Sequence, residues 1–169
     1  LPLSAEDRRR ARVFQAAKRS VVFIRAATEE FAITDLRTGR QFEVPPGTGT
    51  GFVWDELGHV VTNYHVVTVE DPNGVPRGEA EYLTVTLADG KQYQACVIGR
   101  SLACDIAVLH VFAPLNQLKP LGLGSSKGLM VGQSVLAIGN PFGLDHTLTS
   151  GIVSGLGREM LTTYGTPIR

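Results

Sequence analysis

The sequence predicts an all-β protein built from closed β-barrels, with one short helix at its start. Three observations carry this expectation. Short apolar runs recur along most of the chain, separated by turns rich in Gly, Pro and Asp. Glycine is abundant, with 19 in 169 residues, and β-branched residues are common, as many short strands joined by tight turns require. Leu83, Val85 and Leu87 alternate with Thr84 and Thr86 and run into Asp89-Gly90, the pattern of a half-buried strand entering a two-residue hairpin.

Taken in order, residues 4–17 read as the helix. Ser4 stands where a cap belongs and Asp7 follows three residues on, the spacing of a capping box. Ala11, Phe14 and Ala17 or Lys18 share a face, so a solvated helix docked by Val13 and Phe14 fits, and so does an oligomer contact. Residues 20–26 read as a strand and 27–46 as a long polar loop with a small hairpin turning at Thr38-Gly39. Residues 47–54 are glycine-rich but fail as a phosphate loop, because Phe52 occupies the third glycine position and a strand follows where a helix is needed. Their glycines read instead as a bend or a close approach of two backbones.

A turn at 55–58 leads into a strand ending at His65, and 70–79 reads as a loop. The strand after Asp89-Gly90 runs from Lys91 to about Arg100. In the simplest register Leu83 faces Cys96 and Val85 faces Gln94, a pairing that a bulge would shift. Residues 106–112 are almost continuously apolar, as befits a strand of a closed barrel. Beyond a linker at 114–128 come strands at 134–139 and 147–154, joined through Asn140-Pro141-Phe142-Gly143; the tail at 158–169 is polar and loop-like.

The bulk numbers exclude several classes of partner. Lys+Arg and Asp+Glu are 16 each, so the net charge is zero and nucleic acid is not an expected partner. The longest apolar runs fall far short of the roughly 18 residues a membrane helix needs, so no transmembrane segment is expected. The first residues do not read as a signal or transit peptide, which leaves the compartment open. Cys96 and Cys104 are too few for a cysteine-based metal site; a disulfide across a hairpin is one reading, and buried free thiols are the favoured one. No cofactor-binding motif is read in the chain.

The chemistry centres on Thr62-Asn63-Tyr64-His65, where a histidine ends an apolar strand, and on Cys104-Asp105-Ile106, where an acid opens another. A histidine and an aspartate at strand ends can meet in a cleft, the aspartate fixing the tautomer and orientation of the imidazole. The other histidines have plainer readings: His59 in an exposed turn, His110 in the core or an interface, His146 at the surface. Among serines, Gly124-Ser125-Ser126-Lys127-Gly128 matches Gly-x-Ser-x-Gly, but a nucleophile elbow needs a strand before it and a helix after it, and neither is expected here. Ser150 and Ser154 lie within an expected strand.

Several stretches together resemble the Deg/HtrA family of serine endopeptidases, most closely its plant chloroplast members. They are Gly49-Thr50-Gly51-Phe52-Val53, Val61-Thr62-Asn63-Tyr64-His65-Val66-Val67, Asp105-Ile106-Ala107-Val108-Leu109, Val131-Gly132-Gln133 and the long run from Ala137 to Leu156. The resemblance implies a chymotrypsin-like fold of two β-barrels with the active site between them. It assigns His65 as general base and Asp105 as the acid that holds it. The family's serine lies in a Gly-Asn-Ser-Gly-Gly segment that nothing in these residues matches, so the nucleophile is expected beyond Arg169.

The implied organisation is a helical segment at 1–19, an N-terminal barrel at 20–113, the linker at 114–128, and at 129–169 the first strands of a second barrel and the start of a regulatory loop. Val135, Leu136, Ile138, Ile152 and Val153 would then be partly uncovered. The resemblance further implies cleavage of unfolded or damaged proteins, assembly as a homotrimer or with related Deg subunits, and the thylakoid lumen as compartment, with the bacterial periplasm as the alternative. Two rivals stand beside this reading: a catalytically inactive relative serving as scaffold or chaperone subunit, and a metal hydrolase using His65 and Asp105, which lacks a third ligand at suitable spacing.

Overall fold

The computed structural model describes residues 2–27, 32–34, 41–43, 47–70, 76–140, 146–162 and 165–168. Helix α1 spans Ala5–Ala17. Its start follows from local chemistry: the Ser4 hydroxyl accepts from the Asp7 N–H at 3.0 Å, and the Asp7 carboxylate accepts from the Ser4 N–H at 3.2 Å. No residue of α1 is buried, Val13 is exposed and Phe14 half-buried, so the helix is mostly solvated.

Strands β1 (Val21–Ala27), β4 (Gly47–Val53), β5 (His59–Thr62), β10 (Ile106–Val111), β9 (Gln92–Ser101) and β8 (Tyr82–Thr86) form a closed barrel in that spatial order, β8 pairing back onto β1. Every neighbouring pair is antiparallel. Alternation along each strand sends Val22, Ile24, Val53, Val60, Val85, Leu109 and Val111 inward, where they are essentially inaccessible. Each such side chain stabilises the fold by about 1.5–3 kcal/mol through burial. Between these strands lie two small antiparallel pairs, β2 (Ala32–Thr34) with β3 (Gln41–Glu43), and β6 (Thr68–Glu70) with β7 (Pro76–Glu79). The expected turn at Thr38-Gly39 lies outside the described residues. The stretch at 70–79, read as loop, proves to contain β7.

The β8–β9 hairpin corrects the expected register. Leu87 N–H donates to Lys91 O and Gly90 N–H to Leu87 O, both at 2.9 Å, so residues 88–90 form a three-residue loop with Gly90 at φ +82. One extra loop residue shifts the pairing by one: Leu83 faces Ala95 and Val85 faces Tyr93. Side chains alternate with period two, so this slip turns Cys96 out of the barrel. Cys96 and Cys104 are both free, as favoured, but both are exposed rather than buried.

The linker is packed on the barrel. Leu118 joins the buried core, Leu121 N–H donates to Val53 O at 2.9 Å, and the Tyr93 hydroxyl donates to Gln117 Oε1 at 2.6 Å. Strands β11 (Ser134–Gly139) and β12 (Thr147–Ile152) then pair antiparallel. Among the described residues, two side-chain hydrogen bonds tie them to the barrel: Asn140 N–H donates to Thr50 Oγ1 at 3.0 Å, and His146 Nε2–H donates to Val21 O at 2.9 Å. His146 is thus half-buried and structural, not the surface group expected, because its ring reaches the Val21 carbonyl at the start of β1. Val135 and Ile152 are exposed, while Leu136, Ile138 and Val153 are half-buried. The tail is not all loop: β13 (Met160–Leu161) pairs with β14 (Pro167–Ile168).

Candidate active site

Strand β5 ends at Thr62, three residues before His65, so the expected strand to His65 is too long. Asn63 is extended, and His65 sits in a 3-10 turn over Tyr64–Val67. Buried Val66 and Val67 plug this turn into the barrel end, and the Thr68 hydroxyl closes it by donating to Tyr64 O at 2.9 Å. Val66 fits only because Gly49 has no side chain: a Cβ there would stand 2.4 Å from Val66 Cγ2. The Thr62 hydroxyl donates to Thr50 O at 2.9 Å and pins the strand end to β4. Gly49 thus makes room for a side chain, while at Gly47 and Gly51 a Cβ would meet backbone, Val66 O at 3.1 Å and Val61 O at 2.9 Å, the close approach read from the sequence.

Asp105 closes the turn before β10. Its N–H donates to Leu102 O at 3.2 Å, and its φ of +51 is the only positive value outside glycine among the described residues. Such a left-handed conformation is costly for most residues but tolerated by aspartate, and it concentrates at functional sites. Strand β10 pairs with β5 so that Ala107 faces Thr62. The residues that follow Thr62 and those that precede Ala107 consequently meet at one end of the barrel.

There the two candidate residues are joined. His65 Nδ1 lies 2.7 Å from Asp105 Oδ2, and the His65 backbone N–H donates to Asp105 Oδ1 at 3.0 Å. A carboxylate only accepts, so the bond places the ring proton on Nδ1 and leaves Nε2 as a free base. The Asp105 side chain is 11% exposed and that of His65 42%, so the carboxylate is sheltered and the imidazole is open to an incoming group. The Asp105 carbonyl accepts from Tyr64 N–H at 3.2 Å and from Asn63 Nδ2 at 3.0 Å, and Asn63 Nδ2 also lies 3.3 Å from Asp105 Oδ2. Sequence reasoning passed over Asn63. An asparagine beside a turn is ordinary, and nothing local signals that its amide reaches a residue in the turn before another strand.

The remaining candidates lie apart. His59 is half-buried, its Nδ1 2.5 Å from Asp55 Oδ2, and this bond holds the Asp55 carboxyl below its usual range. His110 is on the outer wall of the barrel, its ring 6.0 Å from that of His59 and 5.2 Å from that of Phe112. Ser125 and Ser126 sit in an exposed turn with neither a strand before nor a helix after, as read. Among the described residues no serine hydroxyl bonds the His65 ring, and no three His, Cys, Asp or Glu side chains gather as a metal site.

Comparison with known proteins agrees with this geometry. Residues 49–168 match the family model of the trypsin-like peptidase domain. The chloroplastic Protease Do-like 1 of Arabidopsis thaliana is 46% identical over 99% of the chain, and Protease Do-like 5 of the same plant is 41% identical over 95%. The chain spans 35% and 50% of the lengths of these two relatives. The crystal structure of Deg5 matches with a TM-score of 0.73 at 39% identity, covering 98% of this chain and 72% of that one. An HtrA-type protease, AlgW with tripeptide, matches at 0.68 and 28% identity, over 88% of this chain and 40% of its own. A closed six-stranded barrel, a histidine and aspartate joined at its end, and these likenesses lead to one conclusion: the chain belongs to the trypsin-like peptidases of the Deg/HtrA family.

Proposed function

We propose that this chain carries the general base and the orienting acid of a serine endopeptidase that cleaves unfolded or damaged proteins. The observation that carries the reading is the 2.7 Å bond between His65 Nδ1 and Asp105 Oδ2, with Nε2 left open. A serine hydroxyl brought to Nε2 gives up its proton as its oxygen attacks the scissile carbonyl. Asp105 stabilises the imidazolium that forms. The imidazolium then returns the proton to the leaving amine, and an acyl-enzyme remains. Water, deprotonated by the same Nε2, attacks the ester and releases the serine. In this reading residues 20–113 supply base and acid, and 129–169 begin the second barrel of the cleft. Resemblance to plant chloroplast relatives supports the thylakoid lumen as compartment and assembly as a homotrimer or with related Deg subunits.

The test uses protein expressed from its complete coding sequence. A fluorophosphonate probe should label one serine, identified by mass spectrometry of the labelled peptide. His65→Ala should abolish that labelling and lower casein hydrolysis by at least about a thousandfold. Hydrolysis within about threefold of the unsubstituted protein would overturn the assignment.

A further inference from the structure

The geometry points to Asn63 as a positioning residue, whose side-chain amide locks the Asp105 carboxylate in the orientation that receives the His65 ring. This deepens the function proposed above and rests on it for its catalytic consequence.

The argument starts from what Asp105 lacks. It is a single residue in the left-handed region, in a turn, with no helix or strand ladder to hold its conformation. A free aspartate there would sample other backbone wells and other χ1 rotamers. Two contacts from the Tyr64 and His65 backbone hold parts of it: Tyr64 N–H on the carbonyl and His65 N–H on Oδ1. Neither links the main chain of Asp105 to its own carboxylate. Asn63 Nδ2 does, because its amide has two N–H donors. It lies 3.0 Å from the carbonyl oxygen and 3.3 Å from Oδ2. One planar group thereby ties the backbone of Asp105 to its carboxylate oxygen and constrains the χ1 between them. Oδ2 is also the oxygen that accepts from His65 Nδ1, so an error in its place is an error in the place of the base.

Asn63 is itself exposed, and its side chain fills no part of the barrel core. Replacing it therefore removes donors without opening a cavity. This separates the proposed role from simple space filling. Asn63→Asp keeps the size and shape and exchanges the donor for an acceptor beside a carboxylate. If Asn63 only occupied space, the aspartate would serve as well.

The experiment compares wild type, Asn63→Ala, Asn63→Asp and His65→Ala in protein expressed from its complete coding sequence. The readouts are casein hydrolysis and the low-field proton NMR resonance of the Nδ1–H shared between histidine and carboxylate. Both Asn63 variants should lower kcat by about ten- to a hundredfold, with KM changed by no more than about twofold. Asn63→Asp should be no better than Asn63→Ala. The low-field resonance, present in wild type and absent in His65→Ala, should broaden or vanish in both Asn63 variants. An unchanged resonance in Asn63→Ala, or wild-type kcat in Asn63→Asp, would overturn the inference. A wild type that hydrolyses nothing, yet loses its resonance in Asn63→Ala, would sink the proposed function and leave the positioning role standing.

Discussion

Gly49 and Val66 approach so closely that no side chain fits between them: a Cβ on Gly49 would lie 2.4 Å and 2.7 Å from the two methyl carbons of Val66. Val66 is buried and follows His65 directly, so this contact sets how deeply the turn carrying His65 sits in the barrel. Gly49→Ala should destabilise by about 1–3 kcal/mol through overpacking and should also lower kcat, because relief of the clash moves the turn. Thermal unfolding and casein hydrolysis measure the two effects. Gly122→Ala is the control, since a Cβ there meets nothing within 4 Å; its Tm should match that of the parent.

At Gly51 the obstruction includes backbone. A Cβ would stand 2.9 Å from Val61 O and 2.8 Å from Ile24 Cδ1. A carbonyl in a strand ladder cannot swing aside as a side chain can, so Gly51→Ala should cost more than Gly49→Ala. Equal or smaller loss in denaturant midpoint would contradict this.

In protein expressed from its complete coding sequence, Asp105→Asn should leave the barrel intact and lower turnover about ten-thousandfold, because an amide no longer enforces the tautomer with Nε2 free. Circular dichroism checks the fold and casein hydrolysis the rate. Turnover within about threefold of the parent would show that Asp105 does not orient His65.

Fold class and strand positions were largely legible from residues. Alternation at Leu83, Val85 and Leu87 marked β8, the near-continuous apolar run marked β10, and Ser4 with Asp7 marked the start of α1. What escaped depends on single-residue geometry. Asp89-Gly90 reads as a two-residue turn, yet with Gly90 left-handed at the end of the loop the hairpin takes three residues, and Cys96 changes faces. The strand read as ending at His65 stops at Thr62, because Asn63 to Val67 leave the ladder and Val66 seats against Gly49 in a turn. The contact between His65 and Asp105 was anticipated because a histidine and an acid each stood at the end of an apolar run and both lie in stretches that resemble the Deg/HtrA family. Asn63 was not, because its two acceptors, both on Asp105, are 42 residues away in sequence and nothing local marks the contact. The two-residue strands β13 and β14 carry too little pattern to be seen.

The exposed thiols make a prediction of their own. In native protein a thiol reagent such as dithiobis(nitrobenzoic acid) should modify both Cys96 and Cys104 without denaturant. Reaction that requires unfolding would restore the buried-thiol reading.

Asp55 supplies a pH dependence. The hydrogen bond from His59 holds its carboxyl below the ordinary value of 3.8, helped by the Leu57 and His59 backbone N–H groups. A depressed carboxyl contributes stability that is present above its unfolded value and is lost as pH falls through the folded one. Asp55→Asn should therefore lower Tm at neutral pH, and the difference from the parent should shrink as pH is taken well below 3.8. A difference independent of pH would mean that shape, not charge, holds the turn.

The pairing of β5 with β10 has a consequence for motion. His65 follows the end of one strand and Asp105 precedes the start of its hydrogen-bonded neighbour, with Thr62 opposite Ala107. The rungs shared by these adjacent strands fix the two points from which the turns carrying His65 and Asp105 leave the barrel. A closed cylinder has no free edge from which to fray. The amides of that ladder should thus belong to the slowest class of hydrogen exchange, opening only with the whole barrel. The anchors of His65 and Asp105 then inherit the cooperativity of the fold, parting only when the barrel opens.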